Sequence, residues 1–229
     1  FHQSPTVQRE FATVDDATSD DTQLFAKTPA GTWTEIGAAE TAWANVAGAN
    51  VEMQGFIGYL FIVGHSAVDG FLPVGSVITT TFSTATNVTS MPQARYIVRY
   101  RDRLYIGNTR TGGVDYPFRV YFSSIPSAGA ITWTPASNFF DVGFDKQITG
   151  MGENWDRLVI FTEQDAWLYD QTQLKKVWSY GCSNHRTIRN NGPVMYWANA
   201  DGVYRSSGGQ PENIAGEVID FFRSGSPRN

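Results

Sequence analysis

With one cysteine in 229 residues, Cys182, the chain has no partner for an intrachain disulfide, and a zinc site built on cysteines is excluded. Histidine is nearly as scarce: His2, His65 and His185 stand far apart, and none lies in a local spacing that gathers metal ligands. Charged residues make up only 17% of the chain, the net charge is -5, and no Lys/Arg-rich run is present. There is thus no basic field to neutralise phosphates, which argues against specific nucleic-acid binding. No apolar run reaches the length of a bilayer, so membrane insertion is not expected, and the opening FHQSPTVQRE lacks the pattern of a secretory signal. The chain starts at Phe1 without Met, as a processed chain or a piece of a longer protein does. A nucleotide-binding loop is also missing, because GNTRTGG from Gly107 is followed by no Lys-Ser/Thr pair, and its glycines suit a hairpin instead.

What remains is rich in aromatics, at 14%, and in Gly, Ser and Thr. That balance favours short strands and many turns over long helices. A short apolar strand recurs five times, starting at Leu24 (LFAKT), Leu60 (LFIVG), Leu104 (LYIGN), Leu158 (LVIFT) and Val194 (VMYWA), at offsets of 36, 44, 54 and 36 residues. Near-regular spacing with variable insertions is the mark of tandem sheets. YRDRLYIG and NWDRLVIF share Asp-Arg-Leu at Asp102 and Asp156, and LVIFTEQDAWLYD aligns with VMYWANADGVYRS without gaps, setting Asp165 over Asp201. Both of the latter read as hairpins, the second turning at Asp201-Gly202. Turns at Pro29–Gly31 and Ser127–Gly129 precede Trp33 and Trp133, and Val77–Ser90 reads as outer strands. From Arg95 to Ile106 the pattern gives a strand and its neighbour, with Arg101 and Asp102 at the turn.

These signals predict an all-β, propeller-like array of about five small antiparallel sheets with one or two short helices, at Ala38–Gly48 and Gly216–Gly225. Residues 1–10 read as an extended arm, 11–215 as the propeller-like domain, and 216–229 as a short helix and tail.

Each candidate for chemistry has a stronger structural account. Asp102 and Asp156 support turns, while Arg103 and Arg157 pair or snorkel at strand edges. His185 reads as a structural histidine held by Cys182 or a backbone carbonyl. Trp33 and Trp133 depart from the Asp-box S-x-D-x-G-x-T-W of sialidases and are expected to pack between sheets. Asp141, Asp145, Glu153 and Asp165 offer carboxylates but no preferred pair. The cluster Asp15, Asp16, Asp20 and Asp21 lacks the Gly and distal Glu of a calcium loop and reads as solvated. No catalytic, cofactor-binding or metal residue is therefore assigned, and no cofactor is expected.

The stretch YRDRLYIGNTRTGGVDYPFRVYFSS from Tyr100 resembles a β-propeller module of phage virion proteins, including the tail nozzle or hub proteins of short-tailed phages. ITWTPASNFFDVGFDKQITGMGENWDRLVIFTEQDAWLYD from Ile131, GCSNHRTI from Gly181 and DGVYRSSGGQPENIAGEVIDFF from Asp201 continue the likeness in order, over roughly 95–223. The resemblance implies a non-enzymatic structural component of a bacteriophage tail (a nozzle, hub or adaptor), made in the host cytoplasm and located in the virion. Its implied partners are copies of itself in a symmetric ring and other tail proteins. The alternatives are a host-attachment module that binds a host glycan and, less favoured, a propeller glycosidase.

Overall fold

The computed structural model describes residues 10–15, 22–27, 31–35, 51–65, 70–73, 88–89, 91–143 and 145–215. The two helices expected from sequence, the arm before Glu10 and the tail after Ala215 lie outside these residues. Among the described residues there is no α-helix; one 3-10 turn, His185–Thr187, is capped by Asn184, whose Oδ1 accepts the Arg186 amide at 2.9 Å.

The fold is an all-β, propeller-like array of five small antiparallel sheets, each an up-and-down meander. The first joins β1 (Glu10–Asp15), β2 (Thr22–Lys27) and β3 (Thr34–Glu35), and the second β4 (Glu52–Phe56), β5 (Tyr59–Val63) and β6 (Gly70–Pro73). After β7 (Val88–Thr89) comes a third sheet of β8 (Gln93–Tyr100), β9 (Arg103–Thr111), β10 (Val114–Phe122) and β12 (Phe139–Asp141). Its chain is interrupted by β11 (Ile131–Thr132), which pairs parallel with β7. The fourth sheet runs β13 (Ile148–Asn154), β14 (Arg157–Thr162), β15 (Ala166–Tyr169) and β16 (Leu174–Trp178). The fifth runs β17 (Arg189–Asn191), β18 (Val194–Asn199), β19 (Gly202–Ser206) and β20 (Glu212–Asn213).

All five recurrent apolar segments become the second strand of their sheet: β2, β5, β9, β14 and β18. In β5, β9 and β14 the physical reason is burial on both faces, which removes the polar alternation of a half-exposed strand, whereas in β2 and β18 buried positions alternate with half-buried ones. Leu60–Val63, Leu104–Thr109 and Leu158–Thr162 are buried at every position. Turn chemistry fixes the hairpins between them. At Gly112-Gly113 both residues have positive φ, 58° and 79°, the geometry that matches the twist of a two-residue hairpin and that glycine adopts without a steric cost. Arg101 and Asp102 form the expected turn between β8 and β9, and Ser127–Ala130 closes as expected with reciprocal backbone hydrogen bonds of 2.9 and 3.0 Å. The hairpin of the fifth sheet turns one residue earlier than predicted, at Ala200-Asp201, and Gly202 opens β19. In β10 the register breaks between Tyr116 and Val120, where Pro117 has no N–H to give the ladder.

The chain falls into two compact units, Phe1–Phe140 and Asp141–Asn229. In the first, Phe61 and Val63 of β5 meet Ala94, Ile97, Leu104 and Ile106 of the third sheet in one core with Trp133. Side chains of β4 add hydrogen bonds across this junction: Glu52 Oε2 accepts the Ile97 amide at 3.3 Å and Gln54 Oε1 the Arg99 amide at 3.4 Å. In the second, Val159 and Phe161 of β14 pack on Met195, Trp197 and Tyr204 of the fifth sheet, with Trp178, Cys182 and Ile188. Alternate residues of each central strand face this filling, as the two-residue period of a strand requires.

Candidate functional site

The repeated Asp-Arg pair does not define a repeated site. Asp102 and Asp156 are exposed at turns, while the two arginines take different partners. Arg103 Nη1 donates to Ser123 O at 2.8 Å, with the guanidinium 5.2 Å from the Phe122 ring centroid; Arg157 Nη1 donates to Asp170 Oδ2 at 2.6 Å. Both arginines stand at the first residue of an inner strand and pair there, in line with the structural reading. The glycine run from Gly107 is the β9–β10 hairpin.

Of the histidines, His2 lies outside the described residues. His65 sits at φ 59° with Nε2 3.5 Å from Asp115 Oδ1; burial, then Arg95, lower its pKa against the pull of Asp115. His185 Nδ1 accepts the Met151 amide at 3.1 Å, so on this nitrogen the partner is a backbone N–H and not the thiol or carbonyl expected from sequence. The Cys182 thiol turns instead to Asn184 O at 3.2 Å, and burial raises its pKa.

Burial, helped by Arg189, pushes the His185 pKa down from 6.5 to about 4. Between these values the unfolded chain binds the extra proton, so the stabilisation is complete above about pH 6.5 and is lost as pH falls through about 4. Urea unfolding should therefore show a loss of roughly 2–3 kcal/mol between pH 7 and 4 from this residue. His185→Asn, which keeps a side-chain acceptor but does not titrate, should show a correspondingly smaller fall; an equal fall would remove the assignment.

The sequence's four candidate carboxylates take separate positions. Asp141 ends β12, Asp145 is exposed after it, and Glu153 is exposed on β13. Asp165 is buried, with Lys176 Nζ 2.6 Å from Oδ1 and Lys146 Nζ 3.0 Å from Oδ2. Burial raises its pKa, but hydrogen bonds and charge from the two lysines outweigh that and hold the carboxyl below its ordinary range. Its counterpart Asp201 is an exposed turn residue. Asp15 lies on β1, and Asp16, Asp20 and Asp21 fall outside the described residues. Among the described residues no three His, Cys, Asp or Glu side chains group to hold a metal ion.

The two tryptophans expected to pack diverge. Trp133 is core, at 4% exposure, whereas Trp33 is 43% exposed with Lys27 Nζ 5.0 Å from its ring centroid. A recess lies elsewhere, in the second unit: a cleft of about 420 Å³ lined by Trp155, Arg157, Leu168, Asp170, Gln173, Lys175, Val177 and Gly208. Trp155 occupies the turn between β13 and β14, and both it and Asp156 have φ 53°. A bulky side chain there costs about 1–2 kcal/mol. The strain is held by Asn154 Oδ1, which accepts the Trp155 amide at 2.8 Å, and by the indole Nε1–H, which donates to Pro193 O at 2.6 Å. Trp178 meets the indole edge-on, centroids 5.8 Å apart. In sequence Asn154–Arg157 shows only a repeated turn, and the signal it carries for a site is a tryptophan at a position that favours Gly, Asn or Asp.

Asp170 organises the opposite wall. Its Oδ1 accepts the amides of Thr172 and Gln173 at 2.9 and 2.8 Å and the Thr172 hydroxyl at 2.6 Å, while Oδ2 holds Arg157. These bonds hold the carboxyl well below the usual range, Thr172 first among them. A smaller recess of about 260 Å³ on the fifth sheet contains the Arg205–Glu212 ion pair, 2.8 Å apart.

No family model matches the chain, and no curated protein does. Among solved structures, the extracellular domain of a one component system of B. thetaiotaomicron is similar with 11% identity and a TM-score of 0.43. That match covers 90% of this chain and 33% of the other, so this chain spans about a third of its length. Likeness at this level carries no argument, and the fold class rests on the five meanders themselves.

Proposed function

We propose that this chain is a non-enzymatic structural component of a bacteriophage tail, a nozzle, hub or adaptor, acting through protein–protein assembly with copies of itself and other tail proteins. The observation that carries the proposal is the resemblance noted in the sequence, whose segments fall on strands and turns of the third, fourth and fifth sheets and the connection between the last two. Residues 100–124 span the β8–β9 turn and the β9–β10 hairpin, 131–170 run from β11 through β15, 181–188 hold the 3-10 connection, and the segment from Asp201 opens on β19.

Fold alone assigns no function, so the decisive test is location. Mass spectrometry of purified particles, followed by a particle reconstruction, should find the chain in the tail in contact with other tail proteins. Its absence from purified virions, or turnover of oligosaccharides by the purified protein, would overturn the proposal.

A further inference from the structure

We infer that the Trp155 cleft is a binding site for an anionic saccharide, a uronate-type sugar whose ring lies on the indole and whose carboxylate meets Arg157 and Lys175. The cleft falls in the size range of small-ligand sites. Its aromatic wall is fixed before any ligand arrives, because the indole is anchored through Nε1 and braced by Trp178. A rigid aromatic face suits the C–H face of a pyranose and costs little ordering on binding. Gly208, at φ 103°, lies beside the five-membered part of the indole, where a Cβ would be 3.5 Å from Cδ1 and Cγ, so the glycine adds no side chain to the cleft.

Charge selects the class of sugar. The lining carries two cations against one carboxylate, in a chain whose net charge is -5. Strand alternation separates the neighbouring lysines of β16: Lys176 turns to buried Asp165, and Lys175 turns into the cleft. Arg157 donates Nη1 to Asp170, and the same guanidinium carries further N–H donors with which a ligand carboxylate can pair. Among the described lining residues Asp170 is the only carboxyl, and four hydrogen bonds keep it ionised, so none of them offers the general acid that glycoside hydrolysis requires. The arrangement binds and does not cleave.

The test uses the full chain and is separate from the virion test: either can fail while the other stands. Trigalacturonate is titrated while the indole N–H resonance of Trp155, assigned by its loss in Trp155→Phe, is followed; galactotriose is the neutral comparator and adenosine monophosphate the nucleotide comparator. A saturable shift with trigalacturonate, weakened about tenfold or more by Lys175→Glu and by added salt, is expected. Lys175 is exposed, so this variant keeps its fold. No shift, an equal shift with galactotriose, a response to the nucleotide alone, or unchanged binding in Lys175→Glu would each overturn the inference.

Discussion

Replacing Trp197 by alanine should cost about 3–5 kcal/mol, read as a fall in the denaturation midpoint at an unchanged slope. The side chain has no exposed surface, and its neighbours are themselves large and rigid. The indole stacks on Trp178 at 5.6 Å and 13° and on Tyr204 at 5.9 Å and 17°, and tilts against Phe161 at 5.2 Å. Rings pinned by β14, β16 and β19 close poorly on the space left behind, which is what sets the size of a cavity penalty. Trp197→Phe separates packing from polarity. The Trp197 Nε1–H has no hydrogen-bond partner among the described residues, so its removal offsets part of the lost contact. A loss below about 2 kcal/mol is expected for phenylalanine. Equal losses for the two variants would show that the stack is not what holds this junction.

Gly181→Ala should be almost as damaging, at about 3 kcal/mol or more, through a different mechanism. A Cβ at Gly181 would sit inside the backbone of Thr162 and Glu163, and backbone cannot rotate away as a side chain can. Moving it aside would break the 2.9 Å bond from the Cys182 amide to Thr162 O, which ties the segment after β16 to the end of β14. Gly113→Ala provides the contrast. There the added Cβ meets nothing within 4 Å and only the φ of 79° resists it, so about 1–2 kcal/mol is expected. Measured side by side by chemical denaturation, a larger loss at Gly113 than at Gly181 would contradict the close approach at Gly181.

The same two mechanisms explain what the sequence revealed and what it hid. Central strands were legible because double-sided burial writes an unbroken apolar run, as in Leu158–Phe161, and tight turns were legible where glycine supplied positive φ, as at Gly112-Gly113. Strand β13 was not, because Gly150 and Gly152 look like loop residues. They are there for space: a Cβ at Gly150 would lie 2.7 Å from Ile188 Cδ1, and one at Gly152 3.1 Å from Met195 Cε. That requirement comes from the 3-10 connection and the fifth sheet and is invisible within seven local residues. Edge strand β16 was hidden by Lys175 and Lys176, whose different roles appear only once their faces are assigned.

The candidate site was less legible than the fold for a related reason. Its lining comes from the β13–β14 turn, the β15–β16 hairpin and the loop after β19, none of which carries a motif alone. Trp33 and Trp133 drew attention through their turn-plus-aromatic context, yet Trp133 belongs to the core and Trp33 stands apart under Lys27. Trp155, in a shorter turn, lines an open recess.

The setting of Cys182 has a practical outcome. Its sulfur is sealed in the core of the second unit, and its elevated pKa keeps it from forming the thiolate that alkylating reagents attack. A fluorophore or spin label could be attached through one cysteine introduced at a solvent-facing position such as Asp102 or Asp201, with the native residue left in place and chemically silent.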